Sequence, residues 1–156
     1  MNILIVCLGN ICRSPLAEGI LQDMADRAGL PWKIDSAGTN GYHSGEAPHQ
    51  FSIKVAAENG IDISSQRSRI FVPEDMNRFD RIYAMAADVL EEMKNIAGRS
   101  FDEQKTCLFL EELYPGKNRD MPDPWYGPEK GYHEVFALIS QASKKIISKY
   151  GVTAVQ

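Results

Sequence analysis

The chain has 156 residues, a formal net charge of −4 at neutral pH and 44% hydrophobic residues, which is typical of one globular domain over residues 1–156. The acidic balance excludes a general attraction to nucleic acid or acidic membranes, and the three cysteines are too few for a disulfide framework. Neither a membrane span nor a signal peptide is indicated, so we expect a cytoplasmic protein.

The chain begins with a predicted strand and a loop. Residues 2–7 form an almost continuous apolar run, which predicts a strand covered on both faces of a parallel sheet. Gly9 and Asn10 then tolerate unusual backbone angles. We expect Ser14 at the N-cap and Pro15 at the first position of the helix that follows.

Cys7 and Arg13 flank this loop and suit phosphoryl transfer. The five residues between them can curl into a ring of backbone N–H groups that binds a tetrahedral anion, beside the positive end of a helix dipole. This field favours the nucleophilic thiolate form of Cys7. The Arg13 guanidinium suits a bidentate grip on two phosphoryl oxygens. The alternative is that Cys7 is an ordinary buried side chain.

The rest of the chain alternates between helical patterns and short apolar runs. Apolar spacing predicts helices near residues 14–28, 48–59, 73–75, 88–97 and 132–150, and strands near residues 32–34, 81–85 and 107–110. Glycine and proline content predicts loops at residues 35–42 and 114–126. This order predicts a single-domain, Rossmann-like α/β fold with a parallel sheet of about four strands and helices on both faces. Ligands of such folds bind beyond the carboxyl ends of the strands.

The proline-rich loop contains a candidate acid. Asp123 lies between Pro122 and Pro124, and this stiff backbone suits a carboxyl group that protonates a leaving oxygen and then takes a proton from water. Asp120 is the competing carboxylate, and a turn-forming aspartate is the alternative reading. Nearby aromatic side chains either cover the core or wall a slot for a phosphorylated ring: Tyr42, Trp125 and Tyr126.

The sequence resembles the low-molecular-weight protein tyrosine phosphatases across essentially its whole length. The stretch CLGNICRSP, from Cys7 to Pro15, matches that family's signature loop, and DPWYG, from Asp123 to Gly127, resembles its acid loop. The resemblance implies the fold of the phosphotyrosine protein phosphatase I type. It also implies hydrolysis of phosphotyrosine in proteins, and of small aryl phosphates, through a phosphocysteine intermediate with no cofactor or metal.

The resemblance further implies a role for each site residue. Cys7 is the nucleophile, Arg13 the phosphate clamp and Asp123 the general acid and base. Ser14 donates a hydrogen bond to the thiolate, and Asn10 maintains the loop through the Ser36 hydroxyl. The other phosphate-binding positions are Leu8, Gly9, Ile11 and Cys12. The walls of the substrate slot are Tyr42, Trp125 and Tyr126.

Three positions depart from the family's pattern. Many members carry Met-Asp-x-x-Asn after the third strand, where this chain has Ala86 and Val89, and the histidine common in animal members corresponds to Gln66. These changes affect the support of the loop, and hence the rate, without removing a reacting group.

A second cysteine lies within the loop. The resemblance implies that Cys12 forms a reversible disulfide with Cys7 after oxidation. The alternative is that Cys12 is a packing residue.

Other functions fit less well. Arsenate reductases of similar fold need further cysteines to relay oxidation, and Cys107 alone is a poor relay. Protein arginine phosphatases tend to carry threonine where this chain has Ile11, and they lack the paired aromatics. A non-catalytic phosphate-binding module is expected to have lost Cys7, Arg13 or Asp123, and all three are present.

The expected partners follow from this chemistry. They are phosphotyrosine proteins or peptides, with inorganic phosphate or other oxyanions as inhibitors, and neither nucleic acid nor membranes. We expect a monomer, with weak self-association through the exposed aromatics as the alternative.

Overall fold

The computed structural model describes residues 1–151 and contains a parallel sheet. Its strands are β1 (Asn2–Cys7), β2 (Lys33–Gly38), β3 (Arg81–Ala84) and β4 (Thr106–Leu108), in the order β2-β1-β3-β4. All three strand pairs are parallel. The predicted α/β fold with about four parallel strands is therefore confirmed.

Helices cover both faces of this sheet. They are α1 (Arg13–Arg27), α2 (Gln50–Glu58), α3 (Asp75–Arg78), α4 (Ala87–Ala97) and α5 (Glu129–Gly151). In the central strand β1, Ile3 and Ile5 pack with residues of α1 and α5, whereas Leu4 and Val6 pack with residues of α4. The unbroken apolar run of β1 is explained by this burial on both faces.

The boundaries of two elements differ from the sequence-based expectations. Residues 35–38 have the composition of a turn, yet they complete β2 because each of them pairs with β1. Helix α1 begins at Arg13 with Cys12 at the N-cap, so the expected N-cap role of Ser14 is wrong. Pro15 is the third helical residue rather than the first. The Ser14 hydroxyl instead makes side-chain hydrogen bonds in the site.

The proline-rich segment is irregular, as predicted, and returns to the carboxyl edge of the sheet. Residues 114–126 contain no helix or strand. The Met121 N–H donates to the Met85 carbonyl oxygen, just after β3, over 2.7 Å. The segment therefore brings Asp123 towards the end of the neighbouring strand β1. Within residues 1–151, no helix has both the length and the apolar character needed to cross a membrane.

Candidate active site

Residues 7–13, termed the phosphate loop, curl around the Cys7 sulfur at the carboxyl end of β1. Asn10 has a φ of 57°, a left-handed conformation that asparagine tolerates better than most residues. Its backbone N–H donates to Cys7 Sγ over 3.2 Å. The local conformation thus turns a backbone donor towards a sulfur atom whose residue is 2% exposed.

The end of β2 supports the phosphate loop from one side. The N–H groups of Thr39 and Asn40 donate to the carbonyl oxygens of Cys7 and Leu8, each over 3.0 Å. A β-carbon on Gly38 would lie 2.9 Å from the Leu8 carbonyl oxygen. Glycine is required at this position because the loop backbone lies too close to β2 for a side chain.

Polar side chains form a network behind the nucleophile. Ser14 Oγ lies 3.0 Å from Cys7 Sγ and accepts a 2.8 Å hydrogen bond from Asn10 Nδ2. Because the Asn10 amide is the donor in that bond, the Ser14 proton is available to the sulfur. Asn10 Nδ2 also donates to Ser36 Oγ over 3.0 Å. These contacts suit the roles expected for Ser14, Asn10 and Ser36, since donors facing the sulfur stabilise its negative charge.

The network extends to the carboxyl group of Glu18, which the sequence patterns did not identify. The Ser36 hydroxyl donates to Glu18 Oε1 over 2.7 Å. Burial raises the pKa of Glu18 to about 7, and the negative charge of Asp35 adds to this shift, while the Ser36 hydrogen bond and the Arg69 charge oppose it. Sequence patterns alone do not identify Glu18, because its partner Ser36 lies 18 residues further along the chain, on β2.

Arg13 connects the phosphate loop with the acid loop, residues 123–127. Its Nη1 donates to the Met121 carbonyl oxygen over 2.9 Å, and its Nη2 lies 3.7 Å from Asp123 Oδ2. Asp123 Oδ1 accepts a 3.0 Å hydrogen bond from the Trp125 N–H. The guanidinium and the carboxyl group are therefore close enough to form an ion pair between the two loops.

Most of the predicted site residues surround one cleft of about 200 Å³. Tyr42 and Tyr126 stand at its mouth, 88% and 92% exposed, and Trp125 is 39% exposed. Ser14, Asn10 and Ser36 do not line the cleft. The sequence missed two residues of the wall, because their approach depends on how separate loops fold together: Asn40 and His43. The predicted residues that line the cleft are Cys7, Leu8, Gly9, Ile11, Cys12, Arg13, Tyr42, Asp123, Trp125 and Tyr126.

The three departures from the family's pattern lie outside the cleft. Ala86 precedes α4 without a side-chain cap, and Val89, in the first turn of that helix, is fully buried in the core. Gln66 Nε2 donates to the Pro15 carbonyl oxygen over 3.2 Å, in the first turn of α1. None of the three residues lines the cleft.

The other two cysteines have different surroundings from Cys7. Burial raises the pKa of Cys12 to about 12, so its side chain is a thiol at neutral pH. Cys12 Sγ lies 3.5 Å from the Tyr132 hydroxyl. Cys107, on β4, packs at the edge of the core with Arg81 Nη2 at 3.8 Å from its sulfur. Among residues 1–151, no group of three His, Cys, Asp or Glu side chains is arranged to hold a metal ion.

Comparison with known proteins gives matches that span almost the whole chain. The family model for low molecular weight phosphotyrosine protein phosphatases matches residues 2–154. The sequence is 35% identical over 150 residues to YfkJ, a low molecular weight protein-tyrosine-phosphatase of Bacillus subtilis, covering 95% of this chain and 94% of that protein.

Solved structures show the same likeness in three dimensions. The crystal structure of YfkJ has a TM-score of 0.89 at 32% identity and covers 98% of this chain and 96% of that one. A protein tyrosine phosphatase of Entamoeba histolytica, with Hepes in its active site, has a TM-score of 0.88 at 34% identity and covers 99% of both chains. The likeness therefore extends over nearly the whole chain.

Proposed function

The chain belongs to the low molecular weight phosphotyrosine protein phosphatase family, and on that premise we propose how its residues hydrolyse phosphotyrosine through a phosphocysteine intermediate. One observation carries the assignment of roles. The Cys7 sulfur lies at a cleft where Arg13 and Asp123 face each other, with the Asn10 N–H and the Ser14 hydroxyl directed at the sulfur.

The first step transfers the phosphoryl group to Cys7. The Arg13 guanidinium and the phosphate loop N–H groups hold the phosphoryl oxygens and stabilise their charge as bonds change. The Cys7 thiolate attacks phosphorus, and the bond from phosphorus to the tyrosyl oxygen breaks. The Asp123 carboxyl group gives its proton to that oxygen, so tyrosine leaves as a neutral phenol.

The second step releases phosphate. The Asp123 carboxylate takes a proton from a water molecule, whose oxygen attacks phosphorus while the bond from sulfur to phosphorus breaks. Ser14 and Asn10 stabilise the departing thiolate through the hydrogen bonds that they make in the resting site. Inorganic phosphate, as the product held by these groups, and other oxyanions of similar shape are expected inhibitors.

The cleft walls favour an aromatic phosphoester. Ile11 is apolar, and Tyr42 and Trp125 offer faces on which a phenyl ring can pack. We therefore assign phosphotyrosine proteins and peptides as the substrates.

Three broader proposals accompany this function. The strands and helices of residues 1–151 share cores on the two faces of one sheet, which supports a single domain over residues 1–156.

We also propose that the enzyme acts in the cytoplasm and as a monomer. Light scattering at micromolar concentration should give the mass of one chain, and a concentration-dependent dimer would contradict the monomer.

Release of p-nitrophenol from its phosphate tests the catalytic roles. Cys7→Ser should have no measurable activity, because a serine hydroxyl ionises far less readily, and Cys107→Ser should retain the wild-type rate as the matched cysteine control. Asp123→Ala should lose roughly 10²- to 10⁴-fold in rate, the usual contribution of a general acid. Full activity of Cys7→Ser would refute the mechanism. Phosphate release from a phosphotyrosine peptide, but not from its phosphoarginine counterpart, should confirm the substrate class.

A further inference from the structure

We propose that His49 is a positioning residue that holds Trp125, and through it the Asp123 carboxyl group, against the phosphate loop. The inference rests on the proposed function, because it concerns how the general acid is placed for protonating the leaving oxygen. His49 does not line the cleft described above, and its action is therefore indirect.

The His49 ring is fixed from several sides. Its backbone N–H donates to the carbonyl oxygen of Ile11, in the phosphate loop, over 2.7 Å. Its Nδ1 accepts a 3.1 Å hydrogen bond from the Phe51 N–H and so caps α2. The ring stacks on the buried Tyr132 ring, with centroids 5.1 Å apart and an interplanar angle of 24°. His49 thus presents a rigid surface that is attached to the phosphate loop.

The Trp125 side chain packs on that surface. Its ring lies 5.4 Å from the His49 ring, at an interplanar angle of 79°. The His43 ring also lies 5.5 Å from the Trp125 ring. His43 itself packs against the phosphate loop, since a β-carbon on Gly9 would lie 3.2 Å from His43 Cδ2. Two histidine rings therefore connect the acid loop to the phosphate loop.

The backbone N–H of Trp125 orients the Asp123 carboxyl group. The Trp125 N–H donates to Asp123 Oδ1 over 3.0 Å, and the Asp123 side chain is 39% exposed. Few contacts therefore define where this carboxyl group points. A shift of the Trp125 ring would move its N–H, and the carboxyl group would move relative to the leaving oxygen.

The His49 ring is uncharged at neutral pH, as this arrangement requires. Its Nδ1 is an acceptor in the cap of α2, so the ring proton is on Nε2. Burial also lowers the pKa of His49. The ring therefore keeps both the hydrogen bond that caps α2 and its contact with Trp125 when the enzyme is active.

The test compares two substrates that need the acid to different extents. p-Nitrophenolate is the weaker base and needs the proton less, whereas the phenol of phenyl phosphate has a pKa of about 10 and depends more strongly on protonation. The measured quantity is kcat/KM, which reports the transfer of the phosphoryl group to Cys7. His49→Asn is the central variant, because asparagine can still cap α2 but has no ring.

His49→Asn should lower kcat/KM roughly tenfold or more for phenyl phosphate and at most about threefold for p-nitrophenyl phosphate, because a misplaced acid affects the poorer leaving group more. Trp125→Ala should lower both values, because its ring also lines the cleft, and should lower the value for phenyl phosphate more. The double variant, His49→Asn with Trp125→Ala, should lose no more kcat/KM than Trp125→Ala alone, because the two residues act through the same contact. His133→Asn, which removes an exposed histidine of α5 paired with Glu129, is the matched control and should change neither value.

The outcomes separate the inference from the proposed function. If wild-type protein hydrolyses both esters but His49→Asn loses them equally, or if the two variants are additive, His49 does not position the acid. Thermal unfolding monitors the fold, and His49→Phe serves as the second variant because it keeps a ring without the cap acceptor. His49→Phe should keep the wild-type ratio of the two substrates, and a selective loss in this variant would overturn the inference. Failure of wild-type protein to hydrolyse either ester would instead contradict the proposed function.

Discussion

Asp120 Oδ1 accepts a 2.9 Å hydrogen bond from the backbone N–H of Ala87, the first residue of α4. The preceding residue, Ala86, has no side-chain acceptor, so the cap of this helix comes from 33 residues further along the chain. The two carboxylates of the proline-rich segment therefore have separate surroundings. Asp120 stabilises a helix terminus, whereas Asp123 faces Arg13.

We expect Asp120→Ala to affect stability rather than catalysis. Loss of a helix cap should lower the free energy of unfolding by about 1 kcal/mol, measured by urea denaturation. The rate of p-nitrophenol release should stay close to wild type. Asp120→Asn keeps an acceptor and should lose little stability. A large loss of activity in both variants would show that Asp120, and not Asp123, is the general acid.

Ser36→Ala should weaken the support of the phosphate loop. It removes the acceptor of one Asn10 Nδ2 bond and the donor to Glu18, so a buried amide proton loses its partner. We expect kcat to fall roughly tenfold to a hundredfold, a usual scale for residues that orient a reacting group. Ser140→Ala, on α5, is the control, because that hydroxyl donates to the Phe136 carbonyl oxygen within its own helix. Equal activity of the two variants would show that the Ser36 contact has no catalytic role.

Local signals in the sequence predicted several parts of the site. An apolar run identified β1, and Cys7 with Arg13 at the ends of a glycine-containing loop indicated the anion site. The prolines around Asp123 indicated a rigid segment. Each of these signals lies within a few neighbouring residues. The strand is present in the structure, and the loop and the proline-rich segment meet where Arg13 donates to the Met121 carbonyl oxygen.

Other parts depend on tertiary contacts that a sequence pattern does not contain. Ser14 has the chemistry of an N-cap, but its hydroxyl is occupied by Cys7 and Asn10. Residues 35–38 have turn composition, and only pairing with β1 makes them a strand. Glu18 and His49 were not predicted, because their importance arises where α1 and α2 approach other segments.

Glu18 should make stability depend on pH. Its carboxyl group has a pKa of 4.5 when unfolded and about 7 in the fold, because burial disfavours the ionised form. Its contribution is fully present below the unfolded value and is lost as the pH rises through the folded value. The free energy of unfolding should therefore fall by on the order of 1–2 kcal/mol between about pH 5 and pH 8 on account of this group.

Urea denaturation of Glu18→Gln across this pH range checks that expectation. The uncharged amide should flatten the decrease, because it has no proton to lose. Glu91→Gln removes a carboxylate of α4 that pairs with Lys94 at the surface and should keep the wild-type slope. Identical slopes for the wild type and Glu18→Gln would contradict the assigned titration.

Mild peroxide should convert Cys7 to a sulfenic acid that condenses with the Cys12 thiol, forming a disulfide and releasing water. A thiol reductant should then restore activity, and mass spectrometry should show the Cys7–Cys12 linkage. In Cys12→Ser, Cys7 should proceed to sulfinic acid and activity should not return. Sulfinic acid at Cys7 in wild-type protein, without the linkage, would show that Cys12 gives no protection.

The hydrogen bond from Arg13 to the Met121 carbonyl oxygen joins positions 108 residues apart, so the two halves of the site are synthesised at different times. Closing so long a stretch of chain is slow compared with local helix formation. A nascent chain that has emerged only as far as β3 carries the reactive thiol without its acid. Hydrolytic activity should therefore appear only after the last third of the chain docks, and in refolding experiments it should return later than the helical circular dichroism signal.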